Sequence, residues 1–185
     1  MIILGVDPGT LVTGYGIVET RNGRMTMLAC DAIRNDSTIP LPVRLKRIFD
    51  ALNDVMEEYR PEEFAIETAF YGKNAQSALK LGHARGVAML AAVLRDIPTR
   101  EYSPREVKKA IVGKGSASKQ QVQYMITSLL KLKQIPKYYD VTDALAVAIC
   151  HVHRRGSTHK TFKNWKSFLA KHPEKLLTPS RQSAK

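Results

Sequence analysis

Four acids stand where the residue types and spacing can do chemistry. Asp7 ends the apolar run "IILGV" and is followed at once by Pro8 and Gly9, while Glu67 ends the shorter run "FAI". Asp140 and Asp143 lie three apart in "DVTDALAVAIC", a spacing that makes them neighbours on one helix face. A charge beside a core is costly unless an opposite charge neutralises it. Singly, each acid has an ordinary explanation. Asp7 can shape a Pro-Gly turn, Glu67 can be a strand-end surface residue, and acids in a first helical turn complement the helix dipole. Together they are harder to dismiss, because four converging carboxylates repel one another and their pKa values rise. A pair of hard divalent cations resolves that conflict, since Mg²⁺ takes carboxylate oxygens and keeps some of its water. Two such ions clamp the attacking and departing oxygens of a phosphodiester. Asp7 is therefore expected to be a metal ligand.

The elements that must position these acids follow from periodicity and turn chemistry. Ile2, Ile3, Leu4 and Val6 read as a short buried strand that Pro8 and Gly9 stop. Residues 13–20 alternate partly, Asn22-Gly23 is a strong hairpin signal, and residues 25–33 return as a third strand. Leu45, Ile48, Phe49, Leu52, Val55, Met56 and Tyr59 recur at helical spacing up to Pro61. Residues 64–66 and 99–102 give a fourth and a fifth strand, separated by a long helix over about 75–94. Gly82 and Gly86 weaken that helix and suggest close packing there. Ser103-Pro104-Arg105-Glu106 combines an N-cap, a proline at the first helical position and a capping-box acid. Further helices begin near Ser118 and run over about 140–151. No internal repeat is found. The expectation is an α/β fold, a five-stranded mixed sheet flanked by helices.

Charge and composition narrow the function classes. The formal net charge is +12, and residues 151–185 hold nine Lys or Arg against one acid, Glu174. Such a balance favours polyanions, either nucleic acid or anionic lipid, although a solubilising or disordered tail reads the same way. The longest apolar run, residues 87–94, is too short to cross a bilayer. No basic leader with an apolar run and cleavage site opens the chain, so no secretory signal is expected. Cys30 and Cys150 make no disulfide framework, and a cytoplasmic location is expected. Cys150, His151, His153 and His159 invite a zinc reading, but no Cys-x-x-Cys pair is present. The Gly-Lys pairs in "YGKN" and "VGKGS" miss the P-loop spacing. "DPGTLVTGYG" is similar to the first phosphate loop of actin-like ATPases, yet the second Asp-x-Gly loop is absent.

A family resemblance rests on four stretches in order: "ILGVDPGTLVTGYGIVE", "FAIETAFYGKNAQSALKLGHARGVAMLAAV", "EYSPREVKKAIVGKGSASKQQVQYMI" and "DVTDALAVAICHVH". Over residues 1–153 the chain resembles the RuvC family of bacterial Holliday-junction resolvases. The resemblance implies an RNase H-like fold and a homodimer that cuts four-way junction DNA with Mg²⁺, two ions per active site, Mn²⁺ substituting. It also implies work beside the RuvA–RuvB branch-migration complex. The family's four catalytic, metal-holding acids fall on Asp7, Glu67, Asp140 and Asp143, and relatives differ in residue type at the Asp140 position.

Further residues carry over from the same resemblance. Phe70 matches an aromatic placed near the junction crossover, where it would stack on an unpaired base; otherwise it is a loop residue covering the core. Lys108 and Lys119 match basic residues implicated in DNA contact. Lys73, Lys80, Arg85, Arg105 and Lys114 are phosphate-contact candidates on charge alone. The helix from Ala75 is where the family makes its dimer contact, which Gly82 and Gly86 would permit. The expected organisation is a nuclease domain over 1–153 and a basic extension over 154–185. In the extension, DNA contact and disorder are equally open. Two other functions compete: a related RNase H-like nuclease acting on structured RNA, and a basic nucleic-acid-binding protein without catalysis.

Overall fold

The sheet is built outward from its most apolar strand, β1 (Ile2–Asp7). The computed structural model describes residues 1–68 and 75–155. Strand β2 (Val12–Arg21) pairs antiparallel with β1, and β3 (Arg24–Arg34) pairs antiparallel with β2. On the other side of β1, β4 (Glu63–Glu67) and then β5 (Thr99–Tyr102) join in parallel. The order β3-β2-β1-β4-β5 is the five-stranded mixed sheet expected from the sequence. Asn22 and Gly23 both take positive φ at the β2–β3 turn, the conformation a tight two-residue hairpin requires. The ladder shifts register between Ile17 and Val18, whose partners are Ala29 and Met27. Leu28 is the extra residue, a bulge that no periodicity announced.

Side chains alternate between two helical layers. Leu4, Val6, Phe64 and Ile66 point to one face, which α1 (Leu41–Tyr59) and α2 (Ala75–Val93) cover with Ile48, Leu52, Ala84 and Ala88. Ile3, Val18 and Ala65 point to the other face. There α3 (Pro104–Val112), α4 (Lys119–Leu129) and α5 (Tyr139–Arg155) supply Val107, Ile126 and Leu145. Fully burying each such Leu, Ile or Phe contributes about 1.5–3 kcal/mol. Both α3 and α4 start with a reciprocal capping box, Ser103 with Glu106 and Ser118 with Gln121.

Helix α2 is the long helix expected from the sequence. Among the described residues a Cβ at Gly82 or Gly86 would meet nothing within 4 Å, so the close packing expected at those glycines is not made by them. Helix α5 runs on to Arg155 because its far end is tied to the sheet. His151 is buried between the Tyr102 hydroxyl, 2.7 Å from its Nδ1, and the Glu63 carboxylate at its Nε2. Arg155 Nε reaches the other Glu63 oxygen at 3.0 Å. Among the described residues, no helix is long and apolar enough to cross a membrane.

Candidate active site

Asp7 and Glu67 are brought together by strand register. Val6 pairs with Ile66 in the parallel β1–β4 ladder, so the next residues, Asp7 and Glu67, end adjacent strands side by side. Both share the face of Ile3 and Ala65, the face that α5 covers. Helix α5 can lie close on that face because Gly5, Gly14 and Gly16 beneath it carry no side chains. A Cβ at Gly5 would overlap the Ala144 carbonyl, and one at Gly14, the partner of Asp7, would overlap the Asp140 carbonyl. The absent Cβ atoms thus let the first turn of α5 settle beside Asp7. The loop leaving Asp7 is held by buried Thr13, whose hydroxyl donates to the Gly9 carbonyl at 2.6 Å.

The electrostatics record the convergence. Burial, followed by the charges of Glu67, Asp143 and Asp140, pushes the Asp7 carboxyl up to about 8. Burial and Asp143 push Glu67 up to about 7, against the pull of Lys119 and Lys108. Asp143 is also raised by burial, although Lys119 opposes it through charge and a hydrogen bond. Lys119 Nζ stands 3.2 Å from Asp143 Oδ2. Burial lowers the Lys119 pKa, but Asp143, Asp7 and Asp140 more than reverse that and hold it protonated. The acids share one field without closing into a cage: among the described residues, no three Asp, Glu, His or Cys groups are placed as ready metal ligands. The donor set is nonetheless all carboxylate oxygen, concentrated at one end of the sheet and short of positive charge. That is the chemistry a hard divalent cation fits.

The basic residues divide by placement. Lys108 and Lys119 lie close enough to act on the acids. Lys80 and Lys114 are exposed, and the exposed Arg105 packs its side chain against Gly115. Arg85 is engaged with Glu101, joining α2 to β5. Phe70 and Lys73 fall outside the described residues. Of the zinc-like cluster, His151 is taken up by Tyr102 and Glu63, and Cys150 is buried. Sequence reasoning missed the Lys119–Asp143 contact, which no spacing along the chain could announce. The glycines under α5 did leave a signal: Gly14 and Gly16 recur at strand period, as expected where another backbone approaches closely.

A profile of the family described as "Crossover junction endodeoxyribonuclease RuvC" matches residues 3–151. The chain belongs to the RuvC family. The RuvC of Salinibacter ruber is 46% identical over 177 residues, which is 95% of this chain and 99% of that protein. The RuvC of Pelobacter propionicus is 52% identical over 153 residues, covering 83% of this chain and 86% of that protein. Among solved structures, Thermus thermophilus RuvC in complex with a Holliday junction substrate superimposes with a TM-score of 0.80 at 31% identity. That likeness covers 84% of this chain and 94% of that one. The five-stranded mixed sheet with its helices is thus the RNase H-like fold of RuvC.

Proposed function

We propose that this chain is a structure-selective endonuclease that resolves four-way DNA junctions by hydrolysing phosphodiesters. One observation carries the reading: in a member of the RuvC family, two strand-end acids and two acids of a helix N-terminus share one electrostatic field. A mere nucleic-acid binder gains nothing from acids that repel phosphates.

Asp7, Glu67, Asp140 and Asp143 would hold two Mg²⁺ ions, with Mn²⁺ able to substitute. When bound, such ions activate water and stabilise charge on the phosphodiester oxygens. The carboxylates contribute by being ionised and fixed on rigid elements, the ends of β1 and β4 and the first turn of α5. Lys119 has two stations, the Asp143 carboxylate 3.2 Å away and an incoming phosphate, and so keeps the acids from spreading until substrate arrives. Lys108 adds a second positive charge on the same side. Phe70, Lys73, Lys80, Arg85, Arg105 and Lys114 extend the DNA contact by family position or charge, and the basic segment 154–185 extends it further. No covalent enzyme intermediate is required.

A homodimer would meet a symmetric junction with one site per strand to be cut. The exposed face of α2 supports it: Leu79, Leu90 and Val93 are all more than half exposed, and no described residue fills the space over Gly82 and Gly86. Work beside RuvA–RuvB in the cytoplasm follows from family membership. The deciding experiment compares cleavage of a synthetic four-way junction with that of linear duplex and RNA hairpins in Mg²⁺. Selective, symmetric junction cutting is expected. Equal or better cutting of structured RNA would overturn the reading.

A further inference from the structure

Arg44, in the first turn of α1, is a buried cation without a counter-charge. Only 9% of its surface is exposed, an unusual place for an unpaired guanidinium. Its Nε is buried and bonds to nothing. Among the described residues, no ion pair includes it. Among the described residues its terminal nitrogens make no bond either, and they are not among the sealed polar atoms, so the end of the fork reaches past the packed core.

The backbone of Arg44 is tied to the loop that follows Asp7. Asn35 donates from Nδ2 to the Thr10 carbonyl at 3.3 Å and to the Arg44 carbonyl at 3.4 Å. The Asn35 backbone N–H also holds the Leu11 carbonyl at 2.8 Å. Arg44 is therefore stitched to the loop that leaves Asp7, three to four residues from that carboxylate along the chain. Asn35 Oδ1 is a second buried polar atom without a partner. A guanidinium left without a counter-charge offers a two-pronged donor that matches a phosphate.

We infer that Arg44 anchors a backbone phosphate of the bound nucleic acid at the end of the sheet where the β1–β2 loop leaves Asp7, on the face that α1 covers. The inference rests on the nuclease reading in taking the polyanion to be DNA. The competing explanation is packing: a long apolar stem covers the core and its charged head reaches water. In that case any long side chain would serve.

The test uses the full chain with Arg44→Met, which keeps the stem, and Arg44→Lys, which keeps the charge but loses the fork. Melting without DNA, junction and duplex affinity across salt, and cleavage at saturating junction are measured for all three proteins. Arg44→Met should melt at or above the wild-type temperature, because an uncompensated buried charge has gone. Its affinity for junction and duplex should fall about tenfold, the size of one charge-assisted contact. The slope of log affinity against log salt should flatten by roughly 0.9, the signature of one lost phosphate contact. Turnover at saturation should stay within roughly twofold, since a positioning contact acts on binding. Arg44→Lys should keep the salt slope and recover part of the affinity. Lower melting with unchanged affinity per folded molecule would overturn the inference, as would an unchanged salt slope in Arg44→Met. Wild-type cleavage is read in the same experiment. Its absence would count against the nuclease reading, whereas Arg44 is judged only on the affinity difference between proteins.

Discussion

In the absence of bound cations, burial and three neighbouring carboxylates push the Asp7 carboxyl up to about 8. Glu67 follows, at about 7. Each folded-state value lies above the ordinary carboxylate value, so the folded state binds protons more tightly than the unfolded chain. Stability from these groups is then fully present below about pH 4 and is lost as pH rises through about 8. Melting of chelated protein should fall between about pH 5 and pH 8.5, and Asp7→Asn should flatten that decline. A profile that is flat or rising in the wild type would contradict the crowding of the acids. At this scale the sequence was partly legible. Asp7 and Glu67 were readable because a charge ending a buried run stands out. Lys119 was readable as basic, but its contact with Asp143 joins two helices and leaves no trace in local spacing.

Helix α5 carries half of the quartet, and its seat depends on missing side chains in β1 and β2. Gly14→Ala places a Cβ in the Asp140 carbonyl and should lift the first turn of the helix. Overpacking of this kind costs about 1–3 kcal/mol. Cleavage should fall by more than the loss of folded protein, because Asp140 and Asp143 move with the turn. Equal losses of cleavage and folded fraction would show that the acids keep their places. Gly86→Ala is the opposite case, with no described residue within 4 Å of the added Cβ. Replacing a mid-helix glycine should stabilise the monomer by about 0.5–1 kcal/mol. If α2 forms the dimer contact, the same change should weaken the dimer in sedimentation, and an unaltered dimer would move the contact elsewhere. Elements were the most legible scale. The Asn22-Gly23 turn, the Ser103–Glu106 cap and the strand runs rest on local chemistry, and local chemistry is what a sequence displays. The Leu28 bulge was hidden because the pairing of neighbouring strands decides it.

The whole chain is a basic body that must bring phosphates to a cluster of acids. Net charge of +12 supplies the attraction, and half-buried carboxylates supply the place where attraction is reversed unless cations intervene. Deleting residues 156–185 should weaken junction and duplex binding alike, since phosphate contacts carry no sequence information. The salt slope should flatten by roughly 0.9 for each phosphate contact removed; an unchanged slope would leave that segment without a role in DNA binding. Fold class was legible from the order of strands and helices, while the convergence of four acids separated by up to 136 positions needed the register of β1 on β4 and the seat of α5. The central claim is that these acids are the catalytic centre, and Asp7→Asn tests it most directly. Melting, junction affinity and cleavage are to be measured on one purified protein in Mg²⁺. The expected result is unchanged or slightly higher stability without metal, retained or tighter junction binding, and cleavage reduced by orders of magnitude. A well-folded Asp7→Asn protein that still cuts junctions at the wild-type rate would contradict the account.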